Sequence, residues 1–383
     1  PSRFCQTAQI CPSNTKESWG YVDVREGAHM FWWLYYANSS SASYKDLPLV
    51  MWLQGGPGGS SCGFGNFEEI GPLDRDLKPR GTSWVRAASV LFVDNPVGTG
   101  YSYTDTEDAL AKDVAMVASD MMVLLKSFFS LKTEFQSIPF FIFSESYGGK
   151  MAAAISLELT KAVQAGSIKC NFAGVALGDS WISPIDSVMT WGPYLYSTSL
   201  LDDNGLDEVT KAANAVLEAV KQGQYRKATD MWSITENVVE QVFVLKKFLQ
   251  NNDSYKCSSV SSGQAEAVFE SMAGDFMKPV VDIVDQLLAA GANVTVYNGQ
   301  LDLIVDTVGQ EIWVKRLKWD GLQYFNKMKW TALEDPQTES QTGAFYKTYK
   351  NFAFYWILKA GHMIPSDQGP MALRMLKMVT QQE

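Results

Sequence analysis

In the stretch FFIFSESYGG (140–149), a continuously apolar run changes abruptly to small and polar residues. A helical pattern follows it at 149–165, so the stretch predicts a strand, a tight turn and a helix. A turn of this kind can hold a nucleophile if small residues lie two positions before it and two positions after it. The two serines of the stretch, Ser144 and Ser146, are therefore the first candidates for chemistry.

Similar apolar runs recur along the chain and alternate with helical patterns, notably at 107–130 and 149–165. Nearly continuous apolar runs are typical of strands that are buried on both faces of a sheet. The pattern predicts an α/β fold, with a central, mostly parallel mixed sheet and helices on both faces. The predicted strands lie at 30–36, 48–53, 89–94, 138–143, 172–178, 293–298 and 351–358.

The alternation of strands and helices stops after Pro184. The segment 185–285 is polar and mostly helical, which predicts a helical cap inserted over the carboxyl edge of the sheet. The predicted core then consists of 1–184 and 286–383. Within the cap, NNDSYKCSSVSSGQ (251–264) predicts an exposed loop that proteases can cut.

Composition and charge limit the partners of this chain. Of its residues 46% are hydrophobic, and the formal net charge of −10 disfavours nucleic acid and anionic membranes. No stretch approaches the roughly 18 to 20 uncharged apolar residues that span a bilayer. The chain opens with PSRFCQ, which predicts a mature form whose leader has been removed. The sequence leaves both a monomer and a homodimer open.

The cysteines and the glycosylation sequons indicate whether the chain follows the secretory route. None of the five cysteines shows metal-ligand spacing, and with two histidines in the chain we expect neither a metal nor a cofactor. Cys5 and Cys11 are close enough for a local disulfide, and the odd count leaves at least one thiol that is free or whose partner lies outside this chain. Asn-X-Ser/Thr sequons predict glycosylation if the chain follows the secretory route. They lie at Asn38, Asn252 and Asn293.

The scarcity of histidine narrows the choice of a catalytic base. His29 precedes an aromatic strand, where a structural role is expected, whereas His362 follows a strand in the loop LKAGHMIP. Ser146 has Ser144 and Gly148 at the two positions that a nucleophile elbow needs small, while Ser144 would have a branched Ile before it. Ser146 is therefore the predicted nucleophile and His362 the predicted base.

Two further groups complete an acyl-transfer site. The glycines of QGGPGG (54–59) let the backbone approach a substrate, so the N–H groups of Gly56 and Tyr147 are the predicted oxyanion donors. A phosphate loop is the alternative, but its lysine is missing. Among the acids, Asp302 follows a strand and an Asn-Gly turn, whereas Asp306 is expected to belong to the next element.

The order Ser146, Asp302, His362 is the order of the α/β-hydrolases. Six motifs together resemble the serine carboxypeptidases, an α/β-hydrolase family, from about residue 20 to the C-terminus except in the cap. In chain order they are WLQGGPGG, FEEIGP, FVDNPVGTGYSY, FSESYGG, YNGQLD and AGHMIPSDQ.

The resemblance implies a role for each matching residue. Ser146 is then the nucleophile, His362 the general base and acid, and Asp302 the residue that orients it, with Gly56 and Tyr147 as the oxyanion hole. The resemblance also implies a site for the terminal carboxylate of a peptide substrate, formed by an amide and two acids. The matching positions are Gln54, Glu69 and Glu145, although Glu68 could serve equally in place of Glu69.

Three positions depart from the usual pattern of the family. Gln54 stands where most members have Asn, Ser144 stands where Gly is usual, and a GNG motif reads GDS at 178–180. One extra methylene at Gln54 displaces its amide, and a misplacement of that size can cost about a hundredfold in rate.

These residues support three functional hypotheses. The first is a secreted or lysosomal serine carboxypeptidase that removes C-terminal residues from peptides with a free C-terminus at acidic pH. The second is an esterase, deamidase or acyltransferase that uses the same triad, and the third is a binding protein of the secretory pathway that has lost activity. The intact set of catalytic groups favours an enzyme.

Overall fold

An 11-stranded mixed sheet forms the centre of the structure, a computed structural model that describes residues 16–242, 262–338 and 340–383. The strand order is β1-β2-β4-β3-β6-β7-β8-β11-β10-β9, and β5 pairs with β2. The strands are β1 (Glu17–Arg25), β2 (Ala28–Tyr35), β3 (Leu49–Leu53), β4 (Ser89–Val93), β5 (Tyr103–Thr104), β6 (Pro139–Glu145), β7 (Asn171–Gly178), β8 (Val294–Gly299), β9 (Thr331–Glu334), β10 (Thr342–Tyr349) and β11 (Phe352–Ile357).

The centre of the sheet, from β4 to β11, is parallel, and its edges are antiparallel. The seven predicted strands are confirmed as β2, β3, β4, β6, β7, β8 and β11. The sequence analysis missed β1, β5, β9 and β10, which lie at the edges. Edge strands are only partly buried, so they lack the continuous apolar run that identified the central strands.

Helices cover both faces of the sheet. They are α1 (Val114–Leu131), α2 (Tyr147–Gln164), α3 (Pro184–Ser197), α4 (Asp203–Lys221), α5 (Tyr225–Gln241), α6 (Ser262–Phe276), α7 (Val281–Ala289), α8 (Thr307–Val314), α9 (Leu322–Phe325), α10 (Ile364–Asp367) and α11 (Gly369–Val379), together with a wide π-type helix at Ser61–Ile70.

A separate apolar core lies on each face. Met51 of β3 packs into the core beneath α1, α2 and α7, while Trp52 beside it packs into the core beneath α11 and the π-type helix. Both side chains are fully buried. The alternation of β3 between two cores explains why the strand reads as a continuous apolar run.

The helix α1 is long and apolar enough to cross a membrane by length and composition alone. Half of it is buried inside the protein, where it packs against β1 and α2. A buried core helix has the same length and composition. In addition, Oδ1 of Asp120 within α1 lies 2.6 Å from Nε of Arg25.

Between β7 and β8, the described chain forms helices α3 to α7. The domain boundaries, with a cap at 185–285, stay a prediction. In the predicted loop 251–264, α6 begins at Ser262, and the residues before it lie outside the described part of the chain.

Four further residues lie outside the described part of the chain, so the predicted disulfide between Cys5 and Cys11 stays a prediction. They are Asn252, Cys5, Cys11 and Cys257. In the described chain, Cys62 and Cys170 are free thiols.

Candidate active site

Ser146 occupies the turn between β6 and α2, at φ 61° and ψ −130°. A serine with positive φ at a strand-to-helix turn has the strained backbone of a nucleophile elbow. The turn is tight because α2 approaches β3: a Cβ on Gly148 would lie 2.3 Å from the carbonyl oxygen of Leu53. Only glycine fits two positions after Ser146.

Ser144 lies inside the sheet. It is buried, and its Oγ donates a hydrogen bond of 3.1 Å to the carbonyl of Ala176 in β7. Its own carbonyl accepts a hydrogen bond of 2.8 Å from the Tyr297 hydroxyl. The structure therefore gives Ser144 a structural environment and leaves Ser146 at the turn.

His362 and Asp302 meet at the carboxyl edge of the sheet, in the loops that follow β11 and β8. Nδ1 of His362 lies 2.7 Å from Oδ2 of Asp302, and Oδ1 of Asp302 accepts a hydrogen bond of 3.1 Å from the Val305 N–H. Burial disfavours the imidazolium, but the charge and hydrogen bond of Asp302 outweigh it and raise the pKa of His362. Asp302 can thus orient the imidazole and stabilise its protonated form.

The residues that compete for these roles lie elsewhere. Nδ1 of His29 lies 2.6 Å from Asp23, and its ring stacks on Tyr103. Asp306 caps the N-terminus of α8 by accepting a hydrogen bond of 2.8 Å from the Gly309 N–H, as expected for a residue of the next element.

The glycine turn after β3 lies directly against the nucleophile. A Cβ on Gly55 would lie 2.5 Å from Cβ of Ser146, so only glycine lets the two backbones approach this closely. Gly56, at φ 113°, lines the same cavity as Ser146. Tyr147 is the first residue of α2, where a backbone N–H has no acceptor within its own helix.

Gln54, Glu69 and Glu145 form one buried cluster beside Ser146. The side-chain nitrogen of Gln54 donates hydrogen bonds of 3.0 Å to Oε1 of Glu69 and 2.9 Å to Oε1 of Glu145. Its side-chain oxygen accepts a hydrogen bond of 2.8 Å from the indole N–H of Trp52. The longer side chain of Gln54 therefore reaches both acids. The neighbouring Glu68 points to the surface, 3.8 Å from Arg75.

The two acids of this cluster cannot both be ionised. Burial raises the pKa of Glu69 to about 7, against the lowering effect of its hydrogen bonds. Burial and the neighbouring Glu69 raise the pKa of Glu145 well above its ordinary value. In the described chain, Oε2 of Glu69 and Oε2 of Glu145 have no hydrogen-bond partner. At least one carboxyl therefore carries a proton that it can donate.

These residues surround a cavity of about 900 Å³. Ser146, His362, Gly56, Gln54 and Glu145 line it directly, together with apolar side chains of α3, α6 and the loops after β8 and β11. Asp302 and Glu69 lie behind this first layer, where they contact His362 and Gln54. Within the described residues, no group of side chains could hold a metal ion.

The sequence analysis missed a buried ion pair beneath the site. Nζ of Lys150, in α2, lies 3.1 Å from Oδ2 of Asp275 in α6, and the Tyr147 hydroxyl donates a hydrogen bond of 2.6 Å to the same oxygen. Lys150 is visible in the motif FSESYGGK, but Asp275 stands in a helix with no local pattern that marks it.

Asp179 is the second residue whose role was missed. The sequence marks Asp179 only as a departure from GNG, but in the structure its Oδ1 accepts a hydrogen bond of 2.7 Å from the Gly299 N–H, beside the loop that carries Asp302. The predicted glycosylation sites Asn38 and Asn293 are both exposed, and the Asn293 side chain donates a hydrogen bond of 2.8 Å to the carbonyl of Ala173.

Comparisons with known proteins show the family of this chain. The family described as serine carboxypeptidase matches residues 8–266 and 250–382. The retinoid-inducible serine carboxypeptidase of Homo sapiens is 58% identical over 416 residues, covering 96% of this chain and 92% of that protein. The serine carboxypeptidase-like 51 protein of Arabidopsis thaliana is 40% identical and covers 96% of this chain and 93% of its own.

The fold has a matching solved structure. The prohormone-processing carboxypeptidase Kex1Δp of Saccharomyces cerevisiae superposes with a TM-score of 0.81 at 18% identity, over 97% of this chain and 93% of that chain. The predicted α/β-hydrolase fold is confirmed. With its fold and its full-length relatives in agreement, the chain belongs to the serine carboxypeptidase family and is a hydrolase that acts on peptides.

Proposed function

We propose that this enzyme removes residues from peptides with a free C-terminus at acidic pH, through an acyl-enzyme on Ser146. The cluster of Gln54, Glu69 and Glu145 supports this proposal, because it adjoins the nucleophile and two of its carboxyl oxygens have no hydrogen-bond partner among the described residues. A protonated carboxyl and an amide can each donate a hydrogen bond to the terminal carboxylate of a peptide.

The chemistry follows from the positions of the groups. Oγ of Ser146 attacks the scissile carbonyl while His362 takes the hydroxyl proton, and the N–H groups of Gly56 and Tyr147 stabilise the oxyanion. His362 then gives the proton to the leaving amine as the C–N bond breaks. A water molecule attacks the acyl-enzyme with His362 again as the base, which releases the shortened peptide and restores Ser146.

The acidic optimum has a physical cause. A proton on Glu69 or Glu145 is needed to donate to the substrate carboxylate, and burial raises the pKa of Glu69 to about 7 and the pKa of Glu145 well above its ordinary value, so the site keeps this proton at acidic pH. As the pH rises further, a second negative charge repels the substrate. KM for peptides should therefore rise with pH, while an ester without a carboxylate should keep its KM.

The test compares blocked dipeptides, their C-terminal amides and simple esters from about pH 4 to about pH 8. The proposal requires that only dipeptides with a free carboxylate are cut efficiently, best at low pH. Ser146→Ala should lose this activity, and Ser144→Ala, the matched control two residues away, should keep most of it. Turnover of esters alone would favour an esterase, and equal rates in wild type and Ser146→Ala would refute catalysis.

The same proposal places the enzyme in the secretory pathway, either secreted or lysosomal. Exposure of Asn38 and Asn293 supports this, since both sequons are accessible to glycosylation. Expression in a secreting eukaryotic cell should give a glycoprotein whose mass falls on removal of N-glycans. Absence of glycan from both asparagines would contradict it.

A further inference from the structure

Asp179 is a buried acid directly behind the proposed triad. It follows β7, and its side chain is fully inaccessible to solvent. Its Oδ1 accepts a hydrogen bond of 2.7 Å from the Gly299 N–H, and its own N–H donates one of 2.9 Å to the carbonyl of Tyr297. These two bonds fix the carboxyl group against the loop that carries Asp302.

The second carboxyl oxygen of Asp179, Oδ2, is the oxygen that is available to the carboxyl of Asp302. Oδ2 is buried and has no donor within the described chain. Gly299, whose N–H binds Oδ1 of Asp179, also accepts a hydrogen bond of 3.2 Å at its carbonyl from the Asp302 N–H, so the two acids flank one glycine. Asp302 acts on the Asp179 carboxyl through its charge and through a side-chain hydrogen bond. Asp302 uses its Oδ2 for His362 and its Oδ1 for the Val305 N–H. Two ionised carboxylates in contact repel each other, whereas a carboxylic acid beside a carboxylate donates a hydrogen bond to it.

The charges around Asp179 favour its protonated form. Burial, and after it the charge of Asp302, raise the pKa of Asp179 well above its ordinary value. Among the described residues, the ionisable groups that act on it lie in the loop after β8, the π-type helix, β6 and β8, and three of these four are acids. They are Asp302, Glu69, Glu145 and Tyr297.

The backbone limits which residues fit this position. Asp179 has φ 40°, in the left-handed region that Asp, Asn and Gly adopt more readily than other residues. An asparagine has the same shape and would donate a hydrogen bond at every pH. An aspartic acid donates only while it keeps its proton.

We propose that Asp179 is a positioning residue for the triad, whose protonated carboxyl donates a hydrogen bond to Asp302 and holds Asp302 against His362. The inference rests on the proposed triad and adds a second proton on which activity depends. When Asp179 loses this proton, the hydrogen bond becomes a repulsion and the imidazole loses its alignment. The rate should then fall at high pH for every substrate, including esters that never contact Glu69 and Glu145.

The experiment uses a simple ester without a free carboxylate and measures kcat and KM from about pH 4 to about pH 9. Two variants are compatible with the positive φ of residue 179. Asp179→Asn keeps a side-chain hydrogen-bond donor, and Asp179→Gly removes it without backbone strain. For wild type, kcat should fall at high pH. Asp179→Asn should move this fall upward by about one pH unit or more, because its donor does not titrate.

Below the pH at which wild-type kcat falls, Asp179→Gly should lose about tenfold or more in kcat with little change in KM, since only alignment is affected. A purely structural role would lower the amount of folded enzyme without moving the pH profile. The proposal is overturned if Asp179→Asn keeps the wild-type fall at high pH or if Asp179→Gly keeps the wild-type kcat. An active Ser146→Ala would instead refute the triad itself, so the two failures are distinguishable.

Discussion

The side-chain amide of Gln54 lies 2.9 Å from Oε1 of Glu145, the residue that immediately precedes the proposed nucleophile. The same amide reaches Glu69, and its oxygen is held by the indole of Trp52. Gln54 is therefore the centre of the buried cluster that we assign to substrate recognition.

Replacement of Gln54 tests this cluster. Gln54→Leu leaves the Trp52 indole and two acids without their partner, and each lost bond should cost about 1–3 kcal/mol in the free energy of unfolding. Gln54→Asn should draw the amide away from the acids and lower kcat/KM for peptides by up to about a hundredfold. Ester hydrolysis is the internal control, and an equal loss on both substrates would contradict a role in carboxylate binding.

The buried acid Glu69 predicts how stability depends on pH. Its pKa is raised from 4.5 to about 7, so the folded protein keeps a proton that the unfolded chain releases above about pH 4.5. This stabilisation is complete at low pH and is lost as the pH rises from about 4.5 to about 7. The loss is on the order of 3 kcal/mol, from 1.36 kcal/mol per pKa unit.

Denaturant unfolding across this pH range measures the effect. Glu69→Gln should flatten the dependence, whereas Glu68→Gln, the partly exposed neighbour, should leave it unchanged. If Glu69→Gln shows the wild-type dependence, Glu69 does not carry the proton that stabilises the folded protein.

The buried ion pair between Lys150 and Asp275 predicts how firmly α6 is held against α2. Both side chains are almost completely buried, at 0% and 3% exposure. Lys150→Met leaves Asp275 without its cation and should lower the free energy of unfolding by about 3–5 kcal/mol. The double variant Lys150→Met/Asp275→Leu should recover most of this loss.

The exposed pair of Lys161 and Glu158, at 2.7 Å, is the matched control in the same helix. Lys161→Met should cost less than about 1 kcal/mol. A double variant as unstable as the sum of its single variants would show that Lys150 and Asp275 are not coupled.

Gly148 tests the geometry of the elbow, and Gly274 in α6 is the control. Gly148→Ala would place a Cβ 2.3 Å from the Leu53 carbonyl, which forces β3 and α2 apart and should cost about 1–3 kcal/mol or more. Gly274→Ala in α6 would place a Cβ with no described atom within 4 Å and should stabilise its helix by up to about 1 kcal/mol. Thermal unfolding compares the two, and equal stability of both variants would contradict the close approach.

The sequence predicts those parts of the structure that local patterns determine. The central strands and the turn at Ser146 have such patterns, because burial on both faces and a tight turn each restrict neighbouring residues. Likewise, His362 and Asp302 could be found since both follow buried strands. The resemblance to a known family supplied Gln54, Glu69 and Glu145, which composition alone would not connect.

The parts that were missed depend on contacts between distant segments. The edge strand β1 alternates between buried and partly exposed positions, so it lacks an apolar run. Asp275 pairs with Lys150 only because α6 folds over α2. Asp179 was visible as a substitution, but its meaning required the position of Asp302.

Ser146 forms the covalent intermediate in the proposed reaction, and a labelling experiment can locate it. A fluorophosphonate probe reacts with an activated serine by losing fluoride, and mass spectrometry of the digested protein locates the modified residue. We expect one labelled peptide that contains Ser146, the same label in Ser144→Ala, and none in Ser146→Ala. A label on another residue, or one that persists in Ser146→Ala, would contradict the account.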